Sequence, residues 1–244
     1  MVSFFHKKKS SLDFSSLQCD MHSHLIPGID DGVPDLDTSI KLITGMMDLG
    51  YKKIITTPHV LWDLYKNNNE IIQSGWKIVK DEIEQKKLPV DFHAAAEYFM
   101  DDHFDIIVDN DVPLLTLKDN LVLVEFSFVQ EPIELKNIIF KLQIKGYQPV
   151  VAHPERYLYF GANKNWYDEM KNAGCIFQLN LLSLIGFYGK PTLELAQYLI
   201  KKNYANLLGT DLHNERHLEI LQNYPTSDLV SKLMDSGMIQ NHLL

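Results

Sequence analysis

The residues of this chain that could do chemistry recur at one kind of place, the downstream end of a short apolar run. LQCDMHSH gives Asp20, His22 and His24, with Asp30 and Asp31 in the loop that follows. TTPH gives His59, the run through HAAAE ends at Glu97, and VLVEF carries Glu125. VVAHPER carries His153, and GTDLH carries Asp211 and His213. A carboxylate at the end of a buried strand loses its hydration, so several converging there would repel unless cations lay between them. Imidazole nitrogens with carboxylate oxygens, and no cysteine among them, suit Mn, Fe or Zn better than a soft metal. Five histidines and four carboxylates exceed the needs of one ion, so two or three ions are implied.

No single motif carries this reading. His22-Ser23-His24 is a common pairing, and His59 alone reads most simply as a satisfied histidine of core or surface. Glu125 inside an apolar run is stronger, because a buried glutamate is rare without a partner. Their shared place at the ends of the runs is far more specific than any member. His6, His93, His103, His217 and His242 fall outside that register and are expected in ordinary surface or core positions. The chain has 23 Lys plus Arg, yet the only arginines are Arg156 and Arg216, each three residues after a candidate ligand. A planar guanidinium binds phosphate or carboxylate through two parallel bonds, as lysine cannot, so this pair points to an anionic substrate. The structural alternative is an ion pair, for Arg216 with Glu215 or Glu219 on one helix.

The elements that must position these groups follow from the same pattern. Apolar runs at Leu17–Met21, Ile54–Thr57, Val90–Ala96, Leu121–Val124, Pro149–Ala152, Cys175–Leu179 and Asn206–Leu208 read as strands. Between them lie amphipathic stretches: Asp37–Leu49, capped by Asp37, Thr38 or Ser39 and stopped by Gly50; Asn69–Lys87; Glu131–Lys145; Asn163–Ala173; and Thr192–Lys202 after Pro191. About seven strand and helix repeats predict parallel strands with helices outside, closed or nearly closed into a barrel. All the candidate groups then project at its C-terminal mouth, where barrel active sites sit.

At 244 residues the chain is expected to form one domain over 1–244. Its net charge of −9 repels phosphate backbones, and the only basic run is Lys7-Lys8-Lys9, so nucleic acid is a poor candidate partner. Cys19 and Cys175 sit in strand-like apolar runs and are expected as buried reduced thiols. No apolar leader and no bilayer-length segment is present, so a cytoplasmic protein, not embedded in a membrane, is expected.

The segments DMHSHLIPGIDDG, TTPH, AAEY, VEFS, AHPER and GTDLHN resemble the PHP superfamily of polymerase and histidinol phosphatase domains. More narrowly, they are similar to the manganese-dependent protein-tyrosine phosphatases of bacterial capsule and exopolysaccharide systems. The similarity runs from Cys19 to about Asn214, and the HxHxxPGxDDG opening and HPER are specific to this subgroup. It implies a distorted (β/α)7 barrel holding three divalent metal ions, with Mn expected and Fe or Zn as alternatives. His22, His24, Glu97 and Asp211 would hold one ion; Glu97 would bridge to a second, held also by Glu125 and His153. Asp31, His59 and His213 would hold the third. Arg156 would grip the phosphate, Asp20 would orient a ligand, and Arg216 has no counterpart in the pattern.

The expected reaction is phosphomonoester hydrolysis by a metal-bound hydroxide attacking phosphorus in line, with Arg156 as the phosphate clamp. Neither cysteine is followed by a phosphate loop ending in arginine, which argues against a thiol nucleophile. The expected substrate is phosphotyrosine on protein, and the resemblance implies the tyrosine-rich tail of a bacterial tyrosine kinase as partner. The rival readings are another PHP phosphoesterase such as a histidinol-phosphate phosphatase, an amidohydrolase-type metal hydrolase, and a non-catalytic metal-stabilised module. Against the second, the positions where a carboxylated lysine is wanted read Glu97 and Glu125. Trp62, Tyr65, Tyr157, Tyr159 and Phe160 follow candidate site residues and could face a phosphotyrosine ring, although such aromatics more often serve packing.

Overall fold

The computed structural model describes residues 13–223 and 228–244, so His6 and the Lys7–Lys9 run lie outside the described residues. The strands are β1 (Cys19–Asp20), β2 (Lys53–Thr56), β3 (His59–Val60), β4 (Asp91–Ala94), β5 (Glu97–Phe99), β6 (Leu121–Glu125), β7 (Gln148–Ala152), β8 (Ile176–Asn180) and β9 (Leu207–Gly209). The helices are α1 (Leu36–Asp48), α2 (Asn69–Gln85), α3 (Asp102–Asp109), α4 (Leu135–Ile144), α5 (Asn165–Asn172), α6 (Leu181–Leu184), α7 (Lys190–Lys201), α8 (Glu215–Asn223) and α9 (Asp228–Asp235).

All strand pairs are parallel, in the orders β1-β2-β4 and β3-β5-β6-β7-β8-β9. The two runs are one surface. The β2–β4 register, with Thr56 opposite Ala94, continues unchanged into β3–β5, with His59 opposite Glu97. Between them Ala95 N–H donates to Thr56 O and Glu97 N–H to Pro58 O. Pro58, lacking an N–H, marks the break in the first of these bent strands. The ring closes above β1 and β9: Asp211 N–H donates to His22 O at 2.7 Å, His24 N–H donates to Leu212 O at 2.9 Å, and Ser23 bridges Leu212 in parallel. Counting each bent strand once, this is the expected distorted (β/α)7 barrel.

Strand alternation separates two cores. Cys19, Met21, Ile55, Ala95, Leu123, Val150, Ala152 and Leu207 form a small buried cluster drawn from strands all round the ring, with Ile176 against it; this is the barrel interior. The larger cluster, holding Val122, Val124, Val151, Phe177 and Leu208, packs outward on the helices. The seven expected strands are all present. Helix starts differ in detail. Asp35, not a later residue, caps α1, its carboxylate accepting from Thr38 N–H at 2.8 Å. The expected Glu131–Lys145 helix begins only at Leu135, with no side-chain cap, and α3, α6, α8 and α9 are additional. Cys19 and Cys175 are buried free thiols, and burial pushes the pKa of both upward, Cys175 to about 12.

Candidate metal centre

In four strands, counting bent ones once, the inward row followed upward leads to the site, whereas His22 and His24 lie off the Cys19 and Met21 row of β1. Ile55 leads through Thr57 to His59, Ala95 to Glu97, Leu123 to Glu125, and Leu207 through Gly209 to Asp211. His153 is off the row of β7, but its backbone is left-handed (φ 32°) and so leaves the strand direction. Asp211 is left-handed too (φ 51°), and non-glycine residues held so are found preferentially at functional sites. Two glycines allow the close packing. A Cβ on Gly209 would lie 2.7 Å from His22 Cβ, and one on Gly32 would lie 2.3 Å from His24 O.

The nine expected ligands converge. His22 Nε2 lies 3.1 Å from Glu97 Oε2 and 3.3 Å from Asp211 Oδ1; His24 Nε2 lies 3.4 Å from each of the same oxygens. Atoms sharing one ion at roughly 2.0–2.2 Å stand about this far apart. Glu97 turns its other oxygen to His153 Nε2 at 3.1 Å, and Glu125 Oε2 is 4.0 Å from the same nitrogen. Asp31 Oδ1 faces His59 Nε2 at 3.4 Å and His213 Nε2 at 3.5 Å. The sets are less separate than the sequence suggests. His59 Nδ1 lies 2.9 Å from Glu125 and 3.2 Å from Glu97, and His24 groups with Asp31, His59 and His213 as well as with His22 and Asp211.

Hydrogen bonds on the far side of the rings fix the tautomers. His22 Nδ1 meets Gln178 Oε1 at 2.9 Å, and the same oxygen accepts from His153 N–H at 3.3 Å, so this Nδ1 carries the proton. His24 Nδ1 meets Asp30 Oδ2 at 2.9 Å, and His213 Nδ1 meets the Asp211 carbonyl at 2.9 Å. In the neutral rings all three Nε2 atoms therefore direct lone pairs at carboxylates. Buried Glu97 Oε2, His59 Nδ1 and His153 Nδ1 have no hydrogen-bond partner among the described residues. Lone pairs facing lone pairs need a cation or a proton between them, so the donor set fits divalent metal.

The charges agree. Burial opposes a charge on His22, but Glu97 and Asp211 outweigh it and raise its pKa. Burial likewise opposes charge on His24, where Asp30 leads the groups that lift it well above the usual range. His59 is carried against burial to about 9, chiefly by Glu125. Glu97 and Asp211 stay well below normal, burial being overcome first by His22 in each case. Asp31 falls to about 2 through its hydrogen bond with His213. For His153 burial prevails and lowers the pKa. Without metal the carboxylates thus hold protons on His22, His24 and His59, and divalent ions would displace those protons.

Arg156 lies at the mouth. Its Nη1 donates to Asp211 Oδ2 at 3.0 Å, and its guanidinium carbon lies 4.4 Å from the Phe128 ring centroid and 4.2 Å from that of Tyr188. It lines a cavity of about 300 Å³ with Asp31, His59, Glu125, His153, Asp211 and His213. Arg216 does not line this cavity. It is exposed on α8, 5.8 Å from the Phe187 ring, and Glu215 pairs with Lys41 instead. Asp20 touches no ligand side chain but accepts from Thr210 N–H at 2.8 Å, steadying the residue before Asp211. Tyr157 is fully buried and Phe160 stacks on Trp166 at 3.8 Å, so these two are packed, whereas Trp62 is exposed and stacks on His103 at 3.8 Å. Tyr159 donates its hydroxyl to Ser127 O, and Tyr65 lies against His59 at 5.8 Å.

Sequence reasoning missed Phe128, Tyr188 and His217, which line the cavity, and Gln178 and Asn180, which hold ligands from behind. A usable signal existed for the last two, since IFQLN places polar residues at alternate positions of a buried strand. His217 lies in the first turn of α8, its ring centroid 5.9 Å from that of His213.

A cluster of nitrogen and oxygen ligands at the mouth of a parallel barrel, with an arginine beside it, defines a metal-dependent hydrolase-type centre. The profile of the capsular polysaccharide synthesis family CpsB/CapC matches residues 18–238, and the chain belongs to that family. The tyrosine-protein phosphatase YwqE of Bacillus subtilis is 29% identical over 199 residues, 80% of this chain and 77% of that protein. The tyrosine-protein phosphatase CpsB of Streptococcus agalactiae is 27% identical over 201 residues, 80% and 82% of the two chains. A chain from the crystal structures of YwqE from Bacillus subtilis and CpsB from Streptococcus pneumoniae, unique metal-dependent tyrosine phosphatases, superposes with TM-score 0.76 at 26% identity, covering 89% of this chain and 91% of that one. A histidinol phosphate phosphatase from Lactococcus lactis shares the fold at TM-score 0.54 and 14% identity, covering 94% of each chain.

Proposed function

We propose that this chain is a metal-dependent phosphatase that hydrolyses phosphotyrosine on protein. The observation that carries the reading is Arg156 at the wall of a cavity lined by six of the nine candidate ligands. Family membership and the relatives named as tyrosine-protein phosphatases support it. Three divalent ions, Mn first, would be held by His22, His24, Asp211 and Glu97; by Glu97, Glu125 and His153; and by Asp31, His59 and His213. Bound there, they would lower the pKa of water and offset charge on the phosphoryl oxygens.

The chain's own residues do the rest. Asp30, Gln178 and the Asp211 carbonyl hold His24, His22 and His213 with Nε2 turned inward. Arg156 presents a planar cation that contacts the Phe128 and Tyr188 rings at the cavity wall. From there it can bind phosphoryl oxygens and stabilise the charge that develops on them. The cavity, about 300 Å³, is at the small end of ligand pockets and suits a single side chain presented by a protein.

The partner in this reading is a phosphotyrosine protein, with the tail of a bacterial tyrosine kinase as the candidate, and the setting is cytoplasmic. No described helix is long and apolar enough to cross a membrane. The test is turnover of a phosphotyrosyl peptide, a phosphoseryl peptide and histidinol phosphate by Mn-loaded protein. Preference for the first is expected. Preference for histidinol phosphate, or no turnover of any, overturns the reading.

A further inference from the structure

Asp211 is held by both of its oxygens. Oδ1 faces the ligand nitrogens His22 Nε2 and His24 Nε2, while Oδ2 accepts Arg156 Nη1 at 3.0 Å and Asn180 Nδ2 at 2.9 Å. The two donors differ in what they can do. Arg156 lines the cavity, where an anion can draw it away, whereas Asn180 is fully buried and not among the cavity-lining residues. Asn180 is also fixed on its other sides. Its backbone N–H donates to Glu155 Oε1 at 2.8 Å, and its Oδ1 caps α6 by accepting Leu182 N–H at 2.8 Å. The cap settles the amide orientation: with Oδ1 engaged on the backbone, Nδ2 must face Asp211. The opposite orientation would set oxygen against oxygen.

We infer that Asn180 is a positioning residue for the metal centre, keeping Asp211 Oδ1 on the ligand side whether Arg156 rests on Asp211 or on a bound phosphate. Without it, Arg156 would be the sole side-chain donor to Asp211 Oδ2, and every anion that engaged the guanidinium would loosen the carboxylate. Asn180 thus separates substrate binding from metal retention. Glu155 and Asn180 also tie the segment carrying His153 and Arg156 to the end of β8, so one buried link serves two neighbouring strands.

This rests on Asp211 being a ligand, so Asp211→Asn is made as a reference. The test variants are Asn180→Ser and Asn180→Asp. Both retain an oxygen able to cap α6, and both lose the Nδ2 donor. Mn dissociation constants are measured by chelator competition, and melting temperatures on chelator-treated protein, so neither readout depends on activity. Weakening of Mn binding by roughly 10- to 100-fold is expected in both variants, in the range of lost outer partners of metal ligands. The metal-free melting temperature should stay near wild type in Asn180→Ser, and kcat should recover at saturating Mn. Wild-type Mn affinity in Asn180→Ser overturns the inference, as does loss of the metal-free fold in both variants, since that would make Asn180 a folding residue. If Asp211→Asn itself binds Mn normally, the ligand reading fails and this inference falls with it.

Discussion

Removing the Arg156 guanidinium should produce two separable defects. In Arg156→Ala the first arises at Asp211, whose Oδ2 loses the charge-assisted bond from Nη1 at 3.0 Å. Such bonds contribute about 1.5–3 kcal/mol net, which corresponds to roughly ten- to a hundredfold in affinity at about 1.4 kcal/mol per decade. Asn180 still holds the same oxygen at 2.9 Å, so the loss in Mn affinity should stay below that range, at no more than a few-fold. The second defect lies in the chemistry. Loss of a donor aimed at the developing phosphoryl charge should lower kcat by about 10²–10³-fold even at saturating metal. Arg156→Lys should recover part of kcat, because a point charge restores neither the fork nor the guanidinium's contacts with Phe128 and Tyr188. The assay is hydrolysis of p-nitrophenyl phosphate against Mn concentration, giving a shift in midpoint and a fall in plateau for each variant. Arg216→Ala, which removes an exposed side chain outside the cavity, should leave both within about twofold, as surface changes usually do. A normal plateau in Arg156→Ala together with a collapsed one in Arg216→Ala would refute the assignment of the clamp.

Other outcomes follow from the same geometry. Glu97→Ala should be the most damaging ligand change, because one carboxylate faces His22, His24 and His59 with Oε2 and His153 with Oε1; elemental analysis should show the loss of more than one ion, and normal content would break the bridge assignment. Cys19→Ser and Cys175→Ser should stay active and the wild type should resist thiol alkylation, since both thiols are buried and protonated; an inactive but folded single variant would restore a thiol mechanism. The metal-free protein should lose stability as pH rises. The pKa of His59 goes from 6.5 to about 9 on folding, so its contribution is complete below 6.5 and is lost as pH climbs through about 9. Melting temperatures of chelated protein between pH 6 and 10 should fall across that window, and Mn-loaded protein should lack this decline; a rise in the chelated series would contradict the protonated cluster.

Much of the barrel was legible because alternation and length are local signals. Leu121–Val124 and Pro149–Ala152 read as buried strands whatever their neighbours, and the structure extends each by one residue. The cluster of nine candidate ligands was legible because a charged residue ending an apolar run is locally anomalous. What the sequence hid was set by tertiary contact. The breaks at Thr57-Pro58 and Ala95-Ala96 are visible only as paired bends in one ladder. Asp30 and Asp31 are adjacent, yet folding turns one to His24 Nδ1 and the other to His59 and His213. Phe128 and Tyr188 lie sixty positions apart in the sequence, yet both rings contact Arg156. Asp35 took the cap of α1 from the later candidates because the chain enters the helix one residue after it, a boundary that propensity does not fix.

The most direct test of the central claim is a metal titration read by phosphotyrosine hydrolysis. Protein freed of metal by chelator is given measured equivalents of Mn, and release of phosphate from a phosphotyrosyl peptide is followed at each step. The account predicts no turnover without metal and activity that saturates only after more than one equivalent has bound. Full turnover by the chelated protein, or saturation at a single equivalent, would contradict a multi-ion centre built from these nine ligands.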